Sequence, residues 1–371
     1  MLSLCYSMRL AARIRQYTAA MPAHRSQFQF VWRLSLLLML PFLSSCNRST
    51  TSEFIFTYSN EQPIAALRSQ SMQFFKDQLE QRSGGRIQVE LYFGGVLGNE
   101  RELMDMVAVG ALQGTRGGLF ADANPKFNLL TLPFLVEDWD QAIRLVNSDF
   151  MSTINAGAER NGFYVPATGI SQGFRAHTNT IHPITHPDDL KGLKMRVPSQ
   201  DVFVRTALAF GINPQEISAV ETYQALQTGV VVGQDNPPSN IWDYKFHEVC
   251  DYMTITNYAT GPDPFLVNLK WYQSLPKDLQ EMFDEVAIET MKLSDELNRD
   301  KEKEFIERLS QSVEINYVSG EQLKPFQDAV KPVYDFYIGR GDFSQQEIDD
   351  ARRAASGGLP LNIATPNAIS E

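Results

Sequence analysis

Cysteine is nearly absent from this chain of 371 residues, which contains only Cys5, Cys46 and Cys250. The first two fall in an N-terminal stretch set apart below, which leaves Cys250 alone and excludes an intramolecular disulfide framework. Histidine is scarce as well, with five in all. His177, His182 and His186 fall in a segment rich in Thr, Pro and Asn, where loop positions are the expectation. No metal site and no cofactor are therefore expected. No G-x-S-x-G, no phosphate-cradling loop and no histidine with a carboxylate partner occurs, so no catalytic residue can be named and the chain is not expected to be an enzyme. No apolar run approaches the roughly 20 residues needed to cross a bilayer. Positive charge is also in deficit, with 33 basic residues against 44 acidic ones.

That deficit deepens once the N-terminus is set aside. Residues 1–46 carry Arg9, Arg13, Arg15, Arg25 and Arg33 and no acidic residue. A short apolar run, Leu34 to Leu43, follows, broken only by Ser35 and Pro41. A basic region, a short apolar stretch and small residues describe a secretory signal. Leu43-Ser44-Ser45-Cys46 resembles the bacterial lipoprotein box, which makes Cys46 the expected lipid anchor, on the periplasmic side of a bacterial membrane. Met1, Met8 and Met21 are alternative starts, and Met21 gives a signal of ordinary length. Without these five arginines the remainder holds 28 basic against 44 acidic residues, a balance of −16. Nucleic acid is excluded as a partner, since its binding depends on neutralising phosphates with Lys and Arg. A small anion is not excluded, because a few arginines can be concentrated in one cleft.

The remaining chain, about 325 residues, suffices for two lobes with their own cores. Residues 47–52 are a polar tether. Phe54 to Tyr58 reads as a strand, Ile64 to Glu80 as a helix, Arg86 to Phe93 as a strand and Asn99 to Val109 as a helix. This alternation implies an α/β fold with a largely parallel sheet. The middle repeats the logic, with strands at Phe174–Thr178 and Lys194–Val197 and helices at Gln200–Phe210 and Ala219–Thr228. A short buried strand is expected at Val230-Val231-Val232. Lys277 to Ser319 contains neither Gly nor Pro. A helix from Pro276 to about Gln311 would be roughly 54 Å long at 1.5 Å per residue, longer than one small domain is wide. Its polar centre, Asn298 to Glu304, suggests one helix packed on two lobes and bare between them, able to flex as they approach.

Asp189-Leu190-Lys191-Gly192-Leu193-Lys194-Met195-Arg196-Val197-Pro198 resembles the LKGLKxRVP signature of periplasmic solute-binding proteins of tripartite ATP-independent (TRAP) transporters, the DctP family. Tyr223 to Gly229 and Gly233-Gln234-Asp235-Asn236-Pro237 are similar to that family's VYxALQxGxVDGQENP segment. Leu97 to Leu103 is similar to LGxERE, and Gly173-Phe174-Arg175 to a GxR upstream of the signature. Four motifs in order, across residues 54 to 340, carry the resemblance. It implies a two-lobe periplasmic binding protein fold with a long helix spanning both lobes. Lobe I would take 53–172 plus about 263–298, lobe II 173–262 plus about 299–345, and 346–371 would form a C-terminal tail. The implied function is capture of a small organic acid (dicarboxylate, sugar acid or keto acid) and its delivery to small and large integral membrane subunits.

Independently of the name, Arg196 stands at the end of a short strand before a proline turn. Ligands of open α/β sheets bind beyond such strand ends, and a guanidinium matches a carboxylate bidentately. The resemblance makes Arg196 the principal carboxylate clamp, Arg175 a second arginine on the same pocket and Asn236 a polar contact. Glu100 either accepts a ligand hydroxyl or simply favours its helix N-terminus. Asn60 and Glu61 share the loop where the family touches ligand, and Asn60 is taken as the contact. Departures also count. Ala219 and Gly118 stand where sialate-binding members carry an aromatic residue and a glutamate, which argues against sialic acid. Arg116 is a further candidate charge near the site. The same pocket would serve a sensory protein that presents an organic acid to a receptor, or, less readily, an exported enzyme acting on small acids.

Overall fold

The computed structural model describes residues 52–358, apart from 118, 119 and 171. The signal segment, Cys46 and most of the tether lie outside the described residues, as does Gly118. Two six-stranded sheets organise the rest. The first contains β1 (Phe54–Ser59), β2 (Ile87–Tyr92), β3 (Gly114–Arg116), β4 (Phe163–Tyr164), β5 (Thr168–Ile170) and β11 (Pro262–Asn268). Its order is β2-β1-β3-β11-β4, with β5 also paired to β11. The second contains β6 (Ala176–Asn179), β7 (Lys194–Val197), β8 (Asn213–Glu216), β9 (Gly233–Asn236), β10 (Tyr252–Ile255) and β12 (Glu314–Tyr317). It is ordered β12-β10-β6-β9-β7-β8.

The sheets are mixed rather than largely parallel, which corrects the sequence expectation. β1 runs parallel to β2 and β3, the alternation visible in the sequence. β11 then enters antiparallel to β3, β4 and β5, from a point far along the chain. β6 is likewise antiparallel to β9 and β10. The chain thus passes between sheets three times: from β5 to β6, from β10 to β11, and through the helix that leads to β12.

That helix spans Lys277–Leu309, 33 residues, or about 50 Å at 1.5 Å per residue. Its first half buries Leu279, Phe283, Val286, Ala287 and Met291 against Phe56, Tyr58, Phe75 and Phe265 of the first sheet's core. Its far end buries Leu309 with Ala176, Leu226 and Met253 beside the second. The stretch expected to be bare is so in part: Arg299, Asp300, Lys303 and Glu304 are exposed, whereas Asn298 is buried and Glu302 accepts from Trp139 Nε1 at 3.0 Å. Ser294, Asp295 and Asn298 are buried because each has a partner. The Asp295 carboxylate accepts the Ile170 amide at 2.7 Å. Ser294 Oγ accepts from Arg116 at 2.9 Å, and the Asn298 amide donates to the Ser294 carbonyl at 2.8 Å.

Two further expectations shift. The strand placed at Val230–Val232 lies instead at Gly233–Asn236, and Val230 is exposed. All four residues of this strand are buried although three are polar. Gln234 donates to Thr178 Oγ1 at 2.7 Å, and a Cβ on Gly233 would stand 2.6 Å from the Thr178 carbonyl oxygen. His177 is not in a loop but on β6, buried and stacked on Tyr258 with ring centres 4.9 Å apart. At the C-terminus, Gln345–Ala355 forms a helix that buries Ile348, Ala351, Ala354 and Ala355, so the first part of the expected tail is core.

Candidate functional site

The strand ends and loops between the two sheets line a polar cleft. Arg68, Glu100, Arg175, Arg196 and Asn236 stand in its walls, with Phe120, Phe203 and Ala219. Four of the five residues expected from sequence are therefore brought together. Asn60 is not. Its amide donates to Ser69 Oγ and Met72 Sδ, and its carbonyl oxygen accepts the Gln62 amide at 2.6 Å. Asn60 closes the turn after β1, and it is Glu61, the next residue, that reaches an adjoining cavity with Glu100 and Arg196.

Arg196 lies in the interior of its sheet, in register with Gln215 of β8 and Gln234 of β9. Met195 and Val197 alternate with it into the core. The side chain is only 4 % exposed. Its Nε donates to the Ile217 carbonyl at 2.7 Å, and no carboxylate of the described residues lies within ion-pair distance. Burial and the charge of Arg175 press its pKa down, opposed by Asp235, Glu100 and Glu61. A buried guanidinium stays charged, so it calls for an anion.

Arg175 is already paired. Its Nε donates to the Asp235 carboxylate and an Nη donates to the Asp235 carbonyl at 2.6 Å. The guanidinium covers the Phe203 ring at 4.4 Å. Asp235 also accepts from Tyr258, and these donors hold its carboxyl below the usual range despite burial. His177, beside this pair, is driven down to about 4 by burial and is neutral at pH 7. Asn236 donates to Gln234 at 2.6 Å and accepts from Asn240 at 3.2 Å. Glu100 opens a helix capped by Asn99, whose side chain accepts the Glu102 amide.

Sequence reasoning missed Arg68, and Arg116, expected as a charge near the site, stands behind it rather than in its wall. Arg116 is wholly buried behind the site, bound to Asp263 at 2.5 Å, Ser71 at 2.6 Å and Ser294 at 2.9 Å. Arg68 shares Asp263 at 3.3 Å and presents its guanidinium in the cleft. Gly117 makes room for it: a Cβ there would stand 2.5 Å from Arg68 Nη1, and φ is +76°. Gln172, also missed, has φ 57° where the chain passes between sheets, a conformation uncommon for a side chain other than glycine. Its carbonyl oxygen accepts from Arg68 at 3.5 Å and Asn240 at 3.3 Å. Among the described residues no His, Cys, Asp and Glu cluster could hold a metal ion, and no helix is long and apolar enough to cross a membrane.

A similar arrangement of sheets is known. The solved TRAP periplasmic solute-binding protein of Haemophilus influenzae with bound L-gulonate superposes with a TM-score of 0.78 at 26% identity, covering 81% of this chain and 99% of that one. In sequence, the C4-dicarboxylate-binding periplasmic protein DctP of Vibrio cholerae is 30% identical, over 69% of this chain and 77% of its own. The 2,3-diketo-L-gulonate-binding periplasmic protein YiaO of Escherichia coli is 27% identical, over 71% and 81%. These relatives are binding proteins rather than enzymes. The family model for bacterial extracellular solute-binding protein, family 7 (DctP), matches residues 59–340, and the chain belongs to that family of two-lobe TRAP solute-binding proteins.

Proposed function

We propose that this chain is an extracytoplasmic binding protein that captures a small organic acid by its carboxylate on Arg196 and hands it to the membrane subunits of a TRAP transporter. The observation that carries this reading is the Arg196 guanidinium, 4 % exposed and without a carboxylate partner among the described residues. Arg175 and Asn236 complete the carboxylate end of the pocket, and Glu100 is placed to accept a ligand hydroxyl. Two lobes, 53–172 with about 263–298 and 173–262 with about 299–345, close on the ligand by hinge motion. Export on a signal segment and lipid attachment at Cys46 would keep the protein beside its transporter.

The test is a thermal-shift and titration series on residues 47–371 with organic acids and neutral sugars. Ligand at 100 times its Kd stabilises by about 2.7 kcal/mol. Shifts confined to acids and abolished in Arg196→Ala support the reading, whereas shifts with neutral sugars or an unaffected variant refute it. For the anchor, a Cys46→Ser variant should move from the membrane fraction to the soluble periplasmic fraction.

A further inference from the structure

Resting on that reading of the cleft, we infer that its ligand is a polyhydroxylated acid with one carboxylate, a sugar acid, rather than a dicarboxylate or an unsubstituted keto acid. Two features independent of Arg196 point to this, the charge of the walls and the carboxamides that line them.

In and directly behind the walls stand the guanidiniums of Arg68, Arg116, Arg175 and Arg196. Against them are the carboxylates of Glu100, Asp235 and Asp263. One net positive charge remains, and a single ligand carboxylate neutralises it. Burial pushes the Asp295 carboxyl up, which disfavours its charge. Glu61 adds negative charge only as it titrates, near pH 7. A second ligand carboxylate would meet guanidiniums that Asp235 and Asp263 already hold, with Glu100 close by, and burying an uncompensated charge is expensive.

Apart from Tyr244, the rest of the polar wall is carboxamide, from Gln62, Gln172, Gln200, Asn236 and Asn240. Four of these are oriented by one directional relay. Gln62 donates to Asn240 at 3.2 Å, and Asn240 donates to Asn236 at 3.2 Å and to Gln172 at 3.3 Å. Asn236 in turn donates to Gln234 at 2.6 Å, which donates to Thr178. A carboxamide offers both donors and acceptors, as a hydroxyl does, whereas a carboxylate only accepts. Donors and acceptors paired in this way match hydroxyl groups, and the Glu100 carboxylate, which only accepts, repels a second carboxylate. A site built for hydroxyls discriminates strongly against analogues that lack them, because its buried groups then go unpaired.

Calorimetric titration of residues 47–371 with aldonates and uronates, C4-dicarboxylates, pyruvate and neutral sugars tests the inference. At least one aldonate or uronate should bind roughly tenfold or more tighter than any dicarboxylate or pyruvate. Gln62→Leu should weaken the sugar acid while leaving pyruvate unchanged. A dicarboxylate or pyruvate that binds as tightly, still dependent on Arg196, would overturn the sugar-acid inference and leave organic-acid capture standing. Equal losses for both ligands in Gln62→Leu would overturn it too. Binding of neutral sugars alone, or of no acid, would overturn both.

Discussion

The carboxylate of Glu61, just past the last strand residue of β1, accepts the backbone N–H of Val220 at 3.3 Å, 159 residues away. Val220 lies in the first turn of the helix Ala219–Gln227, which follows β8 of the other sheet. A carboxylate is favourable at such an end, so this contact joins the two halves of the protein at the rim of the cleft. Burial and the neighbouring Glu100 raise the Glu61 carboxyl to about 7, against the pull of the Val220 amide and Arg196.

A pH dependence of stability follows. A carboxyl that holds its proton more tightly in the folded than in the unfolded state contributes stability that is fully present below its unfolded value, 4.5. That contribution is lost as pH rises towards 7. Asp243, raised to about 6 by burial, acts in the same direction. His177, lowered to about 4 by burial, acts in the opposite direction below its ordinary value of 6.5. The role of Glu61 is therefore read as a difference: any fall in Tm from pH 5 to pH 8 should be smaller in Glu61→Gln than in the unaltered chain. Equal falls in the two proteins would show that Glu61 does not titrate as described.

Replacing Arg196 by Leu should separate binding from stability. The variant removes an unpaired buried cation, so the unligated protein gains about 1 kcal/mol even after losing the bond to Ile217. Acid affinity should fall on the order of a hundredfold, about 2.7 kcal/mol. Denaturant melts and titrations on the same preparation read both quantities, and a variant that loses stability and keeps affinity would contradict the assignment.

Asp263 holds two buried arginines, Arg68 at 3.3 Å and Arg116 at 2.5 Å. Asp263→Asn strands both charges and should cost about 3–5 kcal/mol. Urea unfolding measures this, and a loss below about 1 kcal/mol would mean that the pair is solvated.

Gly117→Ala places a methyl group 2.5 Å from Arg68 Nη1 at a backbone φ of +76°. The strain should cost about 1 kcal/mol or more, and displacement of Arg68 should weaken ligand binding beyond the stability effect. Unchanged affinity would remove Arg68 from the list of ligand contacts.

Much of this arrangement was legible in the residues, and what was not shares one physical cause. The strand of Arg196 could be found because apolar neighbours and a terminal proline mark it, and its expected role came from the resemblance to the LKGLKxRVP signature. The long helix could be bounded because nothing between Lys277 and Ser319 interrupts it. What escaped was buried polarity. Gln234, Asp235 and Asn236 form a central strand, and Ser294, Asp295 and Asn298 a buried helix face, because each residue finds at least one partner. A satisfied polar residue leaves no hydrophobic periodicity to detect. Asn60 and Glu61 are adjacent and both polar, and only the turn after β1 decides which faces inward. Arg68 sits near the start of an ordinary helix, and its role depends on Asp263, which is 195 residues away.

The helix Lys277–Leu309 restricts how this molecule can move. Its 33 residues are rooted in the aromatic core of one sheet and in the core of the other. A helix has a fixed rise, and lengthening it means breaking its own hydrogen bonds. The two sheets therefore cannot draw apart along the rod. Of the six rigid-body coordinates that relate them, separation is the stiff one and rotation the soft one, which makes the span of the cleft mouth a matter of angle rather than distance.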